Sequence, residues 1–320
     1  VMDDMTDDSN YKTITDITAL DVLPKKIDKV IPDLPSMDTW VNVKDFGAIG
    51  DGKTDDTKAI KAAIAKHKTV YLPTGWYRVS ETIKLNKGSV LIGLHPYSTQ
   101  LLIDESEANF SGFGSPVPVL ESSEGGNDII NGIGINTGAF NYRAVGLKWM
   151  ANEYSMINDV KFVGGHGYMP KPGEPSQKRY RETRISNPLE PIYDQGLDKA
   201  WDNQYWSLWV TNNGGGILKD IWTASTYASA GLLINNTSTP GKVYAMSLEH
   251  HVRQEARISN VSNWKFYAFQ FEEEGREGKK ALTLDISDSN NLMFANFWMY
   301  RTIRANSPRP WGIKVSNSSN

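Results

Sequence analysis

A chain of 320 residues, 39% hydrophobic and 22% charged, is long enough to bury a real core as one large domain or two small ones. Its net charge of -3 and pI near 6.0 argue against a nucleic-acid or anionic-membrane partner. Without cysteine, disulfides and thiolate metal sites are excluded, and no apolar run is long enough to span a bilayer. The 10 Trp and 14 Tyr sit beside 27 Gly, and the aromatics crowd between Trp201 and Tyr227. Aromatic faces with polar edges suit sugar rings, and they serve equally to fill a large core.

Residues 1–40 are acidic and then punctuated by Pro24, Pro32 and Pro35, which reads as an extended leader beginning at a mature or trimmed end. Val41 to Phe46 alternates like a strand. A turn rich in Gly and Asp follows from Gly47 to Thr57, and Thr54 or Asp55 can cap a helix over 55–66. Ala59, Ile60, Ala63 and Ile64 form one apolar stripe on that helix. Strands are expected at Thr69–Leu72, Trp76–Val79 and Thr82–Leu85, with a turn at Pro73-Thr-Gly75. The cluster Asp51, Asp55 and Asp56 reads as turn and cap chemistry rather than as a metal site.

This order of strand, Gly/Asp turn, capped helix and Tyr71-Leu-Pro-x-Gly75-x-Tyr77 resembles the opening of the pectate-lyase-type right-handed β-helix superfamily. The resemblance implies an all-β fold: a single-stranded right-handed parallel β-helix over 41–320 with an N-terminal capping α-helix.

After residue 85 the apolar runs are short and lie between Gly, Asn, Asp and Ser. An echo runs down the chain: Met156-Ile-Asn-Asp159-Val160, Ile217-Leu-Lys-Asp220-Ile221, Ile258-Ser-Asn260-Val261 and Met293-Phe-Ala-Asn296-Phe297. Stacked coils need such a pattern, because Asn and Asp tolerate the left-handed bend between strands. The region 168–200, with five prolines and the basic run Lys178-Arg-Tyr-Arg181, reads as a long loop inserted over one face. Asp202, Gln204, Tyr205 and Trp206 are candidates to line a sugar cleft. Ile313 and Val315 look like another coil strand with no polar cover after it. A second β-helix segment or subunit is the expected cover for that end.

The stretch from Ser247 to Gly278 carries Glu249-His-His251 and Gln270-Phe-Glu272-Glu-Glu274 on two β-like runs joined by Ile258–Asn263. If the runs stack, Glu249 and Glu272 come close, and two carboxylates on one groove supply the acid and the base or nucleophile of glycoside hydrolysis. In a strand Glu272 and Glu274 point one way and Glu273 the other. His251 would share a side with Glu249 and orient it. No third ligand is evident for a metal beside Glu249 and the two histidines.

Trp201-Asp-x-Gln204-Tyr-x-Ser207, Gly214-Gly-Gly216, Asp220-Ile-Trp222, Ser238–Tyr244, Glu249-His-His251 and Gln270-x-Glu272 resemble, in that order, glycoside-hydrolase-related bacterial β-helix proteins. More distantly they resemble the exo-β-1,3-glucanases of glycoside hydrolase family 55. Gly164-Gly-His166-Gly167 is similar to the bacterial group. The resemblance implies a glycoside hydrolase acting on a polysaccharide or oligosaccharide, a β-glucan above all, by an inverting mechanism without a cofactor. It places the general acid at Glu272 and the second carboxylate at Glu249. Gln270, His251, His166, Asp202, Gln204, Tyr205, Trp206 and Glu274 become the substrate-binding candidates. It also implies a secreted or periplasmic protein. A lyase on a uronic-acid polymer, served by Arg253 and Arg257, and a non-catalytic, tailspike-like β-helix are the rival readings.

Overall fold

A computed structural model of the chain describes residues 19, 21–22, 31–138, 141–164, 204–226, 228–251, 253–273, 282–301 and 311–319. The chain divides into two units, Val1–Ile31 and Pro32–Asn320, and the second holds the fold described here. Its 19 strands among the described residues pair in parallel, coil upon coil, into an all-β right-handed solenoid of about 8 turns.

The bends of the coil explain the Asn/Asp echo. Asp159, Asp220 and Asn296 have φ of 51°, 52° and 55°, and Gly132, Ala245 and Ala268 are left-handed in the same column. Each stands just before one row of core-facing partners: buried Ile133, Val160, Ile221, Met246 and Phe269, and partly buried Phe297. Short polar side chains and glycine tolerate this backbone region at the least cost, which is why Asp, Asn or Gly fills four of these six positions, with Ala at the other two. A second left-handed column runs through Asn212, Asn236, Asn260, Asp288 and Asn317. There Asn260 Nδ2 donates to Asn236 Oδ1 at 2.9 Å, and Asn317 Nδ2 donates to Asp288 Oδ1 at 3.2 Å. Neighbouring coils are thus tied at their corners.

The sequence divided Ser247–Gly278 into two runs with a linker at Ile258–Asn263. The structure instead has one bent strand, Gln254–Glu273. Its first part pairs with Ala228–Thr237 in one wall. After left-handed turns at Asn260 and Asn263, its second part pairs with Gly241–Glu249 in another.

One continuous apolar core fills the tube. Trp264, Phe266, Phe269 and Phe271 are fully buried, and Phe266 stacks on Phe294 at 4.6 Å between ring centres. Each such side chain contributes on the order of 1.5–3 kcal/mol by leaving water. Gly241 lies directly over the Trp264 indole, where an added Cβ would meet ring carbons at 2.3–2.4 Å. Gly241→Ala is therefore expected to cost about 1–3 kcal/mol through overpacking, read as a lower urea midpoint at unchanged slope.

The N-terminal part differs from expectation in two details. Val41–Phe46 is a two-residue strand, Val41–Asn42, followed by a 3-10 turn, Val43–Phe46, which ends on left-handed Gly47. The helix is Thr57–Lys66, and Ile60, Ala63 and Ile64 point into the core. Asp56 precedes it as the N-cap, while the Asp55 carboxylate takes the Thr57 backbone N–H at 3.0 Å. It packs beside the 3-10 turn and the strands Thr69–Leu72 and Ile83–Lys84. It is the only α-helix among the described residues, and its service as an end cap stays an expectation. The Asp cluster does turn chemistry: Asp51 accepts from Lys53 and Thr54, and Asp56 accepts from Ile49 and Gly50. No helix among the described residues is long and apolar enough to cross a membrane.

Candidate active site

In a parallel ladder, in-register residues stand about 4.8 Å apart, and residues two apart share a face. The strands Gly241–Glu249, Gln254–Glu273 and Asn290–Arg301 put Glu249 beside Glu272, and Glu272 beside Tyr300. Two residues back, a second row runs Lys161, Trp222, Ser247, Gln270 and Trp298. Lys161, Trp222, Ser247, Glu249 and Gln270 line an open groove of about 580 Å³, together with Asp159 and Asp220 from the bend column. Register brings Glu249 next to Glu272 as the sequence suggested, and Glu249 and Gln270 line the groove while Glu272 stands one rung on.

Glu249 is held by its neighbours. Its Oε1 accepts from Ser247 Oγ at 2.8 Å, from Trp222 Nε1 at 3.1 Å and from Gln270 Nε2 at 3.3 Å. Three donors from three coils fix the carboxylate's orientation. Glu272 Oε2 accepts from the Tyr300 hydroxyl at 2.7 Å, and its other oxygen lies 4.0 Å from His250 Nε2. Tyr97 meets Trp222 edge to face at 6.2 Å. Burial, reinforced by Glu249 and Asp159, pushes its phenol up. Beside Trp222, Lys161 donates to the Asp220 carbonyl at 3.1 Å and lies 3.4 Å from Asp159 Oδ1, and Lys219 pairs with Asp220.

One ligand atom each of Glu249, His250 and Glu272 lies within 4.8 Å of the others. These three could hold a divalent cation, with carboxylate and imidazole donors suited to a borderline metal. The third ligand that the sequence did not show is Glu272, supplied by the next coil.

Several expected site residues lie elsewhere. His251 does not face the groove. His250 adopts φ 68°, which breaks the strand alternation and sends His251 into the interior, where it is fully buried. There its Nδ1 pairs with Glu255, whose other oxygen takes the His251 backbone N–H at 3.1 Å. Burial, with His250 nearby, holds the His251 imidazole down at about 3, and burial pushes Glu255 well above the carboxylate range. Gly231 leaves room for that ring, since a Cβ there would meet it at 2.5 Å. Glu273 also turns inward, as alternation requires, and is bound by Arg301 at 2.9 Å and Thr283 at 3.0 Å.

Gln204, Tyr205 and Trp206 are likewise corrected. They belong to the strand Gln204–Val210, which pairs with Ala144–Trp149 and Ala228–Thr237 in the other wall. All three are buried. Gln204 is bonded to Thr137 and Gly138, the Tyr205 hydroxyl donates to the Gly114 carbonyl at 2.9 Å, and Trp206 packs on Trp209. His166, Asp202, Glu274 and the 168–200 insertion lie outside the described residues. Composition marked Trp222 as one aromatic among many. Its place three rungs before Trp298 and one before Ser247 appears only once the coils are stacked.

Residues 40–239 match the family model "Rhamnogalacturonase A/epimerase, pectate lyase-like". The chain belongs to this family. This pectate-lyase-like chain is 25% identical over 301 residues to a "Probable glucan endo-1,3-beta-glucosidase" of Arthroderma benhamiae, covering 89% of itself and 33% of that protein. It is 59% identical over 61 residues to "Alginate lyase 7" of Azotobacter vinelandii, which is 18% of this chain and 7% of the lyase. It therefore spans a third or less of the length of either curated relative. Among solved structures, the enzymatically active domain of bacteriophage CBA120 tailspike protein 2 superposes with a TM-score of 0.55 at 14% identity, covering 87% of this chain and 41% of that one. That likeness is one of fold.

Proposed function

We propose that this pectate-lyase-like chain is a carbohydrate-active enzyme that hydrolyses glycosidic bonds of a neutral polymer, a β-glucan, with Glu272 as proton donor. The observation that carries the reading is the Glu249–Glu272 pair on adjacent rungs, with Glu249 lining a groove beside Trp222 and Gln270 and Glu272 on the next rung. The glucan glucosidase activity named for the relative of Arthroderma benhamiae, and its match along most of this chain, support it.

The groove's charge bears on the substrate. Among the described residues, Asp159, Asp220 and Glu249 line it with Lys161, and Lys219 pairs with Asp220. Like charges in a shared site cost affinity, so a polyuronate is disfavoured and an uncharged sugar chain is not. Arg253 and Arg257, which could have served a lyase, do not line the groove. Arg257 pairs in the other wall with Leu233 and Asp285.

Geometry also revises the inverting mechanism. An inverting acid and base sit about 6.5–9.5 Å apart across the sugar ring, with room for a water. Glu249 and Glu272 stand side by side on one wall, an oxygen of each within 4.8 Å of the other. In this reading Glu249 does not serve as the inverting base. Its fixed carboxylate is placed to stabilise positive charge developing on the sugar beside the acid.

The deciding experiment incubates the protein with a panel of β-glucans, pectic polymers and alginate and identifies the products. Reducing ends released from a β-glucan are expected. A new ultraviolet-absorbing unsaturated product from a uronate polymer would replace this reading with a lyase. Binding without turnover on every glycan would replace it with a non-catalytic, tailspike-like module.

A further inference from the structure

The row behind the carboxylate pair carries two indoles that face the same side. Trp222 and Trp298 stand three rungs apart in register, with Ser247 and Gln270 between them. At about 4.8 Å per rung the indoles are about 14 Å apart along the solenoid axis. Glu249 and Glu272 lie at the two intermediate rungs, displaced two residues along their strands, or about 6.6 Å. Trp222 is partly covered: its Nε1 is engaged by Glu249, and Tyr97 packs on it. Trp298 is different. It is 58% exposed, and its ring leans on Tyr300 at 6.5 Å, the residue that donates to Glu272.

The exposed Trp298 indole stands in register, one rung beyond Gln270, with the row that lines the groove. The strand's inward residues, Phe294 and Phe297, go to the core, so core packing does not explain the outward ring. We propose that Trp298 is a sugar-stacking platform on the C-terminal side of the carboxylate pair. The substrate chain then lies along the solenoid axis, over Trp222 on one side of the pair and over Trp298 on the other. The indole offers an apolar face to the C–H face of a pyranose, and Gln270 offers an amide to hydroxyls between the two platforms. A site with platforms on both sides of the reacting groups receives the interior of a polymer, so cleavage is internal. This rests on the groove being the sugar site and does not depend on which bond is broken.

The test separates binding from turnover. In the full chain carrying Glu272→Gln, retardation is measured in native gels containing a soluble linear β-1,3-glucan, with alginate as the charged control. Adding Trp298→Ala is expected to weaken glucan retardation at least about five-fold, and Trp298→Phe to restore most of it. In the otherwise wild-type chain, Trp298→Ala is expected to raise KM on long oligosaccharides more than it lowers kcat, with an unchanged melting temperature. Equal retardation with and without the indole overturns the platform while leaving the hydrolase reading intact. So does exclusive release of single terminal sugars. If Trp298→Ala abolishes a concentration-dependent dimer and leaves glucan binding unchanged, the indole is a contact between copies and the proposal falls. If neither polymer retards the parent protein, both readings fall together.

Discussion

Glu272→Gln is expected to lower turnover of the susceptible glucan by about 10²–10⁴-fold, the range that removal of a positioned proton donor costs. The amide is nearly isosteric and keeps an oxygen for the Tyr300 hydroxyl, which donates to Glu272 at 2.7 Å, so melting should shift by no more than a few degrees. KM should change far less than kcat, because the lost interaction is made in the transition state. Substrates with a good leaving group, such as an activated aryl glycoside, should recover much of the loss, since they need no protonation to depart. That recovery separates a proton donor from a residue that merely shapes the groove. A variant with wild-type kcat on the natural polymer would remove Glu272 from the chemistry. Glu249→Gln is expected to slow the reaction without recovery on activated substrates, because its place among Trp222, Ser247 and Gln270 makes it an oriented charge.

The second large effect is on stability against pH and comes from His251 and Glu255. Burial holds His251 at about 3, below its ordinary 6.5, and lifts Glu255 well above its ordinary 4.5. The folded pair therefore keeps one proton across a wide range. The unfolded chain also holds one between 4.5 and 6.5, on the histidine, so the pair contributes no slope there. Above 6.5 the unfolded chain releases that proton, while burial holds a proton on the folded Glu255 carboxyl to higher pH than in the unfolded chain. Wherever the folded state binds more protons, stability falls as pH rises. Below 4.5 the unfolded carboxylate gains a second proton, and stability falls as pH falls. Glu255→Gln changes the shape. The folded histidine stays neutral, so this pair's slope above 6.5 vanishes and stability is lost as pH falls through 6.5 instead. Urea melts of both proteins from pH 4 to 9 isolate the pair by difference. Parallel curves above 6.5 would show that it does not carry the proton assigned to it.

Much of this protein was legible in one dimension. The Asn/Asp echo announced the left-handed corners because few residue types tolerate that backbone region, and Asp159, Asp220 and Asn296 do occupy it in one column. The Gly/Asp opening announced the helix, and alternation alone turned Glu273 away from Glu272. The neighbourhood of Glu249 and Glu272 could be inferred because one coil's length of chain separates them.

Tertiary structure decided what depended on which wall a strand joins and on register between distant coils. Gln204, Tyr205 and Trp206 look like a sugar wall in sequence, but their strand belongs to the other sheet and they are buried. Local alternation cannot reveal that one left-handed residue, His250, reverses the side on which His251 falls. Nor can it align Trp222 with Trp298, because insertions of uneven length shift each coil's start. Local sterics are written residue by residue along the chain. The meeting of coils is set by stacking apolar faces across intervals the sequence does not measure.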